Sequence, residues 1–267
     1  MTTTVLNYID NLPLIDVARG KSPFADLEAD LGPMRSAEAG GGAGLAPPVP
    51  EDLQAAVDTG SILSFVDGVS GTEKDDVLYS VQLAQRGASG VFDRFTQTEA
   101  WYSKYTEILE TIGWAGEQFA FARYDQSQGQ LHMDQAALSI ISAIATQNQL
   151  AVLQEALGAL KSLAEGDGPM KLFDFHTSAE ASGNFQMGAV QKSDNGALSL
   201  ALGGFHFKAN DNRRRFLFFG WGKQDVEFWT GARKLTLNER LYADHRDKVR
   251  QKLGAAAADF IEGLTLG

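Results

Sequence analysis

The chain has no cysteine. Disulfides, thiol nucleophiles, thiolate metal sites and S-acylation are therefore excluded. Long apolar runs are scarce as well. The longest, Ala136 to Ala145 (AALSIISAIA), falls far short of the ~20 residues that cross a bilayer as a helix, and it reads as a buried helix. The N-terminal MTTTVLNYIDNLPLID lacks the basic and continuous apolar regions of a secretory signal, because Asp10 and Asp16 interrupt it. Any export from the cytoplasm then uses another route. Positive charge is in deficit: 23 Lys+Arg against 34 Asp+Glu leave a net charge of −11. A surface of that sign repels phosphate backbones and argues against a nucleic-acid partner.

Catalytic signatures are also missing. None of His132, His176, His206 and His245 pairs with another at HxxxH or HExxH spacing, and neither GxxxxGK[ST] nor GxGxxG occurs. Gly68-Val-Ser70-Gly71 and Gly87-Ala-Ser89-Gly90 have the wrong spacing for a nucleophile elbow and read as helix-terminating turns. Neither a metal site nor a cofactor is expected.

What is present is an ordinary folding composition: 267 residues, 44% hydrophobic and 21% charged, enough for a proper core. Residues 1–49 read as a flexible acidic arm, loosely docked through short apolar clusters, that ends in the linker SAEAGGGAGLAPPVP. Residues 50–267 read as one α+β domain. Helical patterning is expected from Asp52 to Trp114, with Thr72 and Asp75 at capping-box spacing, and again from Asp134 to Ala164 with a break near Thr146. After Pro169 the period falls to two, predicting a C-terminal antiparallel meander of about four strands (184–192, 197–208, 214–221 and 226–232) on which the N-terminal helical layer packs. Ser193-Asp-Asn-Gly196 marks its first hairpin. A further strand near Phe119 and Phe121 joins its edge, and terminal helices over 238–253 and 255–264 close the chain.

Two sets of polar residues carry chemical possibilities. His132, Asp134 and Asp125 fall close enough in sequence to form a metal or acid-base site for a hydrolase, although ordinary loop polarity is the commoner explanation of such residues. Charge is more informative. Residues 1–60 carry nine acids and three bases, whereas His206 to Leu253 carry twelve bases and six acids. The bases include Arg213, Arg214 and Arg215 at a hairpin and Arg246, Lys248, Arg250 and Lys252 on the next helix. The plain reading is a solvated hairpin and a helix end complementing its dipole. The sharper one is a basic face that docks on anionic lipid, or on the acidic arm of the same molecule.

The segments TGSILSFVDGVSGTEKDDVLYSVQLAQ (59–85), WYSKYTEILETIGW (101–114), SIISAIATQNQLAVL (139–153), SGNFQMGAVQK (182–192) and LTLNERLYADHRDKVRQKLG (235–254) resemble the Evf-type virulence factors of insect-associated bacteria. The resemblance covers about Asp52 to Leu266. It implies a compact α/β protein that promotes persistence in, or damage to, a host, and membrane attachment through a cysteine-linked palmitoyl group. That attachment is impossible in a chain without cysteine. The expectation is therefore a non-enzymatic effector or toxin-like virulence protein, carried by secretion or injection machinery through its arm toward a host membrane or protein target. A hydrolase with a dispersed His/Asp site and an assembly subunit with an exchanging arm are the alternatives.

Overall fold

The computed structural model describes residues 2–14, 45–116, 120–125, 130–164, 167–179, 181–210, 215–222, 224–255, 257 and 261–266. In chain order, helix α1 (Thr2–Asn11) precedes strands β1 (Ala55–Asp58) and β2 (Ser61–Phe65) and helices α2 (Gly71–Ser89) and α3 (Thr98–Thr111). Short strands β3 (Trp114–Gly116), β4 (Ala122–Arg123) and β5 (Leu131–His132) lead to helices α4 (Met133–Ser142), α5 (Gln147–Ser162) and α6 (Gly168–Thr177). Strands β6 (Ser178–Ala179), β7 (Ser182–Lys192), β8 (Leu198–Ala209), β9 (Gly220–Trp221) and β10 (Val226–Leu237) follow, then α7 (Glu239–Ala243), α8 (Arg246–Leu253) and β11 (Ile261–Leu264).

Among the described residues nine strands make one sheet in the order β11-β1-β2-β7-β8-β10-β3, with β6 beside β7 and β4 beside β10. Every pairing is antiparallel except β2 with β7. Helices cover both faces. Helices α1, α2, α3 and α8 pack on one side, burying Leu63, Val190, Leu200 and Leu235 of the sheet. Helices α4, α5 and α6 pack on the other. There Phe185, Phe205 and Phe228 form a ladder across β7, β8 and β10, with ring centroids 5.0 Å and 5.9 Å apart in successive pairs.

The α+β class and the β7–β8 hairpin agree with the sequence reading. Gly196 takes φ 86° in the turn, where an L side chain would be strained. The break at Thr146 is also present: its hydroxyl caps α5 reciprocally with Gln149.

Four details differ from that reading. The stretch expected as helix from Asp52 contains β1 and β2 instead. All nine residues of these strands are buried, so the polar half of a strand alternation is absent and the spacing mimics a helix. The sheet therefore exceeds the expected four-strand meander and has two helical covers rather than one. Strand 214–221 is replaced by a 3-10 turn (Phe216–Phe218) and β9, which leaves the sheet to pair with β5. Trp221 anchors this excursion by donating its indole N–H to the Phe216 carbonyl at 3.0 Å. The closing helix of 255–264 contains β11, because pairing with the open edge of β1 satisfies backbone groups on both strands. Finally, α2 is capped by Ser70 and Glu73, not by Thr72 and Asp75, and it runs on through Gly87 to Ser89.

A buried polar seam joins α2 and α3 to the sheet. Tyr102 donates to Asn184 at 2.8 Å, Gln186 donates to the Tyr102 hydroxyl at 2.7 Å, Ser61 donates to Gln186 at 3.1 Å and Gln85 donates to Ser61 at 2.8 Å. Such a chain fixes the helices in register because each member is satisfied only in one placement. The seam ends at Asp58, whose Oδ1 accepts from Thr59 and Gln82 while Oδ2 has no partner among the described residues. Burial pushes its carboxyl up to about 7, against the pull of those hydrogen bonds and of Arg86.

A folded-state value above the ordinary carboxylate value of about 4 means that stability falls as pH rises from about 4 to about 7 and is flat beyond. Buried His176, held down to about 3, contributes in the opposite direction between about 3 and 6.5, a range that overlaps that of Asp58. The difference between wild type and Asp58→Asn therefore isolates the carboxylate. Thermal melts should show the variant gaining on wild type steadily up to about pH 7 and holding that gain above it. Parallel curves would contradict the assignment.

Candidate functional site

The three residues with acid-base potential do not converge. His132 lies at the end of β5, opposite Gly220, and occupies the cap position of α4. Asp134 is buried in the first turn of that helix, and its Oδ1 has no partner among the described residues. Asp125 is exposed beyond β4 and lines a cleft of about 350 Å³ with Leu131 and Phe228, a cleft that includes neither His132 nor Asp134. Among the described residues no hydrogen bond joins any two of the three, and no group of three His, Asp or Glu side chains is placed to hold a metal ion.

The basic residues are divided between the two sides of the sheet. Arg213 and Arg214 lie outside the described residues. Arg215, at φ 55°, donates its backbone N–H to Asp174 of α6 at 3.0 Å and its guanidinium to the Lys161 carbonyl of α5 at 2.6 Å. Helix α8, with Arg246, Lys248 and Arg250, packs in the other helical layer. Arg215 and helix α8 therefore lie on opposite sides of the sheet and do not share the single face read from charge distribution.

On α8 the two arginines are clamps. Arg246 makes a bidentate pair with buried Asp76 of α2, at 2.7 and 2.6 Å. Burial still pushes the Asp76 carboxyl above its ordinary value, although Arg246 pulls the other way. Arg250 donates twice to the Ala46 carbonyl, at 3.0 and 2.7 Å, and so holds residues 45–49 against α2. Asp75 accepts the Val49 N–H at 2.7 Å, and Tyr79 donates to the Pro47 carbonyl.

The lysines of α8 face the arm. Lys248 lies 2.5 Å from the Asp10 carboxylate, and Lys252 donates to the Asp10 carbonyl at 2.9 Å. Burial holds the Lys252 ammonium below its ordinary value, with Lys248 pushing the same way and Asp10 opposing. At the α3 side, Tyr8 donates to Glu107 at 3.0 Å, and the Lys104 ammonium sits 5.2 Å from the Tyr8 ring centre. Ile9 and Leu12 are buried between these contacts. A ten-residue helix is too short to persist alone in water, so α1 exists because this seat exists.

The seat is built into α2 by two glycines. A Cβ on Gly87 would lie 2.7 Å from Leu12 Cδ2 and 2.8 Å from Ile108 Cδ1. One on Gly90 would lie 2.2 Å from the Pro13 carbonyl oxygen. Neither residue terminates the helix by a left-handed turn: Gly90 has φ −71°. Their smallness serves the arm, and glycine at a helix end gives no local sign of that. The signal in the sequence was indirect, the short apolar clusters of the arm that include Ile9 and Leu12.

No protein-family model and no curated protein matches the chain. Solved structures do. One titled "DELTA-ENDOTOXIN" aligns over 67% of this chain and 81% of its own, at 12% identity and a TM-score of 0.42. "Structure of the Evf virulence factor" aligns over 90% and 98%, at 11% identity and 0.41. The activated Cyt2Ba monomer of Bacillus thuringiensis subsp. israelensis aligns over 67% and 97%, at 10% identity and 0.42. The second bears the name of the family resembled by the sequence segments. Likeness at this level does not establish membership, and the seat of α1 has to be argued from its own contacts.

Leu12→Ala is expected to weaken that seat by about 2–5 kcal/mol, the usual range for a buried leucine. Hydrogen exchange across Thr2–Asn11 should accelerate while β7 and β8 keep their protection. Unchanged exchange in α1 would show that the docked contact does not hold the helix.

Proposed function

We propose that this is a toxin-like virulence protein of non-enzymatic action, delivered through its N-terminal arm, in which the arm also covers the surface that meets an anionic target membrane. The observation that carries the reading is the composition of the seat beneath α1. Its floor is apolar, at Gly87 and Ile108, and its rim carries Lys104, Lys248 and Lys252, each in contact with α1. Lifting α1 uncovers a small hydrophobic slot whose rim carries Lys248 and Lys252, released from Asp10, and Lys104, which keeps its pair with Glu107. Near an anionic bilayer each lysine is worth about 1 kcal/mol, enough together to overcome a modest global repulsion. Helix α1 is the intramolecular stand-in for that surface, with Asp10, its one charged side chain, placed where a lipid headgroup would sit.

The arm suits delivery for a related reason. Its polar contacts are few and mostly at the surface, where ion pairs contribute about 0–1 kcal/mol each. A machine gripping residues 1–14 can lift them without unfolding the sheet. The names of the solved structures above, toxins and a virulence factor, accord with this reading, which rests on the seat and not on them. No helix among the described residues is long and apolar enough to cross a membrane, so contact through a surface slot requires no spanning helix.

Gly90→Ala tests the reading, because it evicts Pro13 while leaving all three lysines and an ordinary helical φ in place. Flotation with anionic vesicles should recover about tenfold more of this variant than of the intact chain, and Lys248→Glu with Lys252→Glu should remove the gain. Neutral vesicles should recover neither. Equal, negligible recovery of intact chain and variant from anionic vesicles would overturn the proposal.

A further inference from the structure

A second site lies on the same helical side but away from α8, where the first turn of α3 meets the ends of β7, β8 and β10. A groove of about 960 Å³ opens there, at the upper end of the usual 300–1,000 Å³ for ligand pockets. Trp229 and Phe121, both half-buried, give it an aromatic wall, and Lys208, His206 and Thr98 supply polar groups.

His206 is the informative residue. Its side chain is more than nine-tenths buried and lies 5.2 Å from Trp229, ring centre to ring centre. Nδ1 stands 3.0 Å from the Gly183 carbonyl and 3.4 Å from the Thr98 hydroxyl. A carbonyl can only accept, so Nδ1 carries the proton and Nε2 keeps its lone pair. Nε2 has no hydrogen-bond partner among the described residues. Burial favours the neutral ring and holds its pKa below the ordinary value, against the pull of the Gly183 carbonyl. The groove therefore presents a fixed acceptor that only an O–H or N–H can satisfy.

Beside it, Lys208 extends over Trp229 at 5.9 Å, and no carboxylate among the described residues pairs with it: Glu227, opposite it across β8 and β10, is engaged by Arg123 at 2.7 Å. The first turn of α3 has no side-chain cap from Gln97 but carries Glu99 on the groove's rim, so Lys208 is the groove's cation and the helix end adds little to it.

These three demands define a ligand class. A sulfate ion would satisfy Lys208 but has no proton for Nε2, and neither sulfate nor phosphate offers an apolar face to Trp229 and Phe121. An acyl chain would cover the aromatic wall and leave both polar groups desolvated. A sugar ring supplies an apolar C–H face for Trp229 and Phe121 and hydroxyl donors for Nε2, and a ring carboxylate supplies the charge for Lys208. We propose that the groove binds an acidic saccharide, a uronic-acid glycan, and that it does so independently of the arm and of its membrane surface.

Digalacturonate and its neutral counterpart galactobiose serve as probes. Of the four tryptophans, Trp101, Trp114 and Trp221 are fully buried, so Trp229 alone reports on the groove in full-length protein labelled with 5-fluorotryptophan. Its fluorine resonance, assigned through Trp229→Phe, should shift saturably with digalacturonate and bind galactobiose about tenfold more weakly, one lost charge-assisted contact. Lys208→Gln should erase that preference. His206→Phe, at an unchanged melting temperature, should weaken both sugars about tenfold. A Trp229 resonance that moves with neither sugar in the wild-type protein would overturn the proposal without recourse to any variant. So would one that follows inorganic phosphate or adenosine monophosphate in preference to digalacturonate.

Discussion

A sheet whose central strands are buried on both faces has to be covered twice, and that constraint governs what the rest of the chain does. Strands β7, β8 and β10 run for eleven or twelve residues and are buried along most of their length. One face is sealed by the phenylalanine ladder under α4–α6. The other is sealed by α2 and α3, which are held by hydrogen bonds as much as by apolar contact. The two covers are physically different: stacked rings tolerate small shifts, whereas Tyr102, Gln186, Ser61 and Gln85 are satisfied in one register only.

The polar cover needs further support at its edge, and α8 supplies it. Its arginines tie α8 to Asp76 of α2 and to the Ala46 carbonyl, and its lysines face outward to the arm. A helix of mixed charge use results, in which arginine, with its fixed fork, makes the internal clamps and lysine the exposed, exchangeable contacts. The net charge of −11 conceals this division. On α8 the arginines are spent inside the molecule, and Lys248 and Lys252 are met by Asp10.

The sequence conveyed the parts of this that leave a local trace. The Ser193–Gly196 turn, the cap at Thr146 and the alternation of β7, β8 and β10 each follow from a few adjacent residues. Strands β1, β2 and β11 left no such trace. The first two are buried on both faces and lose their alternation, and the third exists only because β1 offers an edge far away in sequence. For the same reason Gly87 and Gly90 were legible as turn formers and not as a seat, since their role depends on Leu12 and Pro13 some seventy-five residues earlier. The acidic arm and the basic helix were both visible as charge; that Asp10 in particular meets Lys248 and Lys252 is a property of the fold.

The central claim is that α1 rests on α8 and can leave it. Zero-length carbodiimide coupling reads this contact directly, because it joins a carboxylate to an ammonium only where they already form an ion pair. Peptide mapping of the treated full-length protein should find Asp10 joined to Lys248, and the same treatment of Gly90→Ala should lose that product while retaining Lys104 joined to Glu107 within α3. An intact chain that yields the Lys104–Glu107 product without the Asp10–Lys248 one would contradict the account.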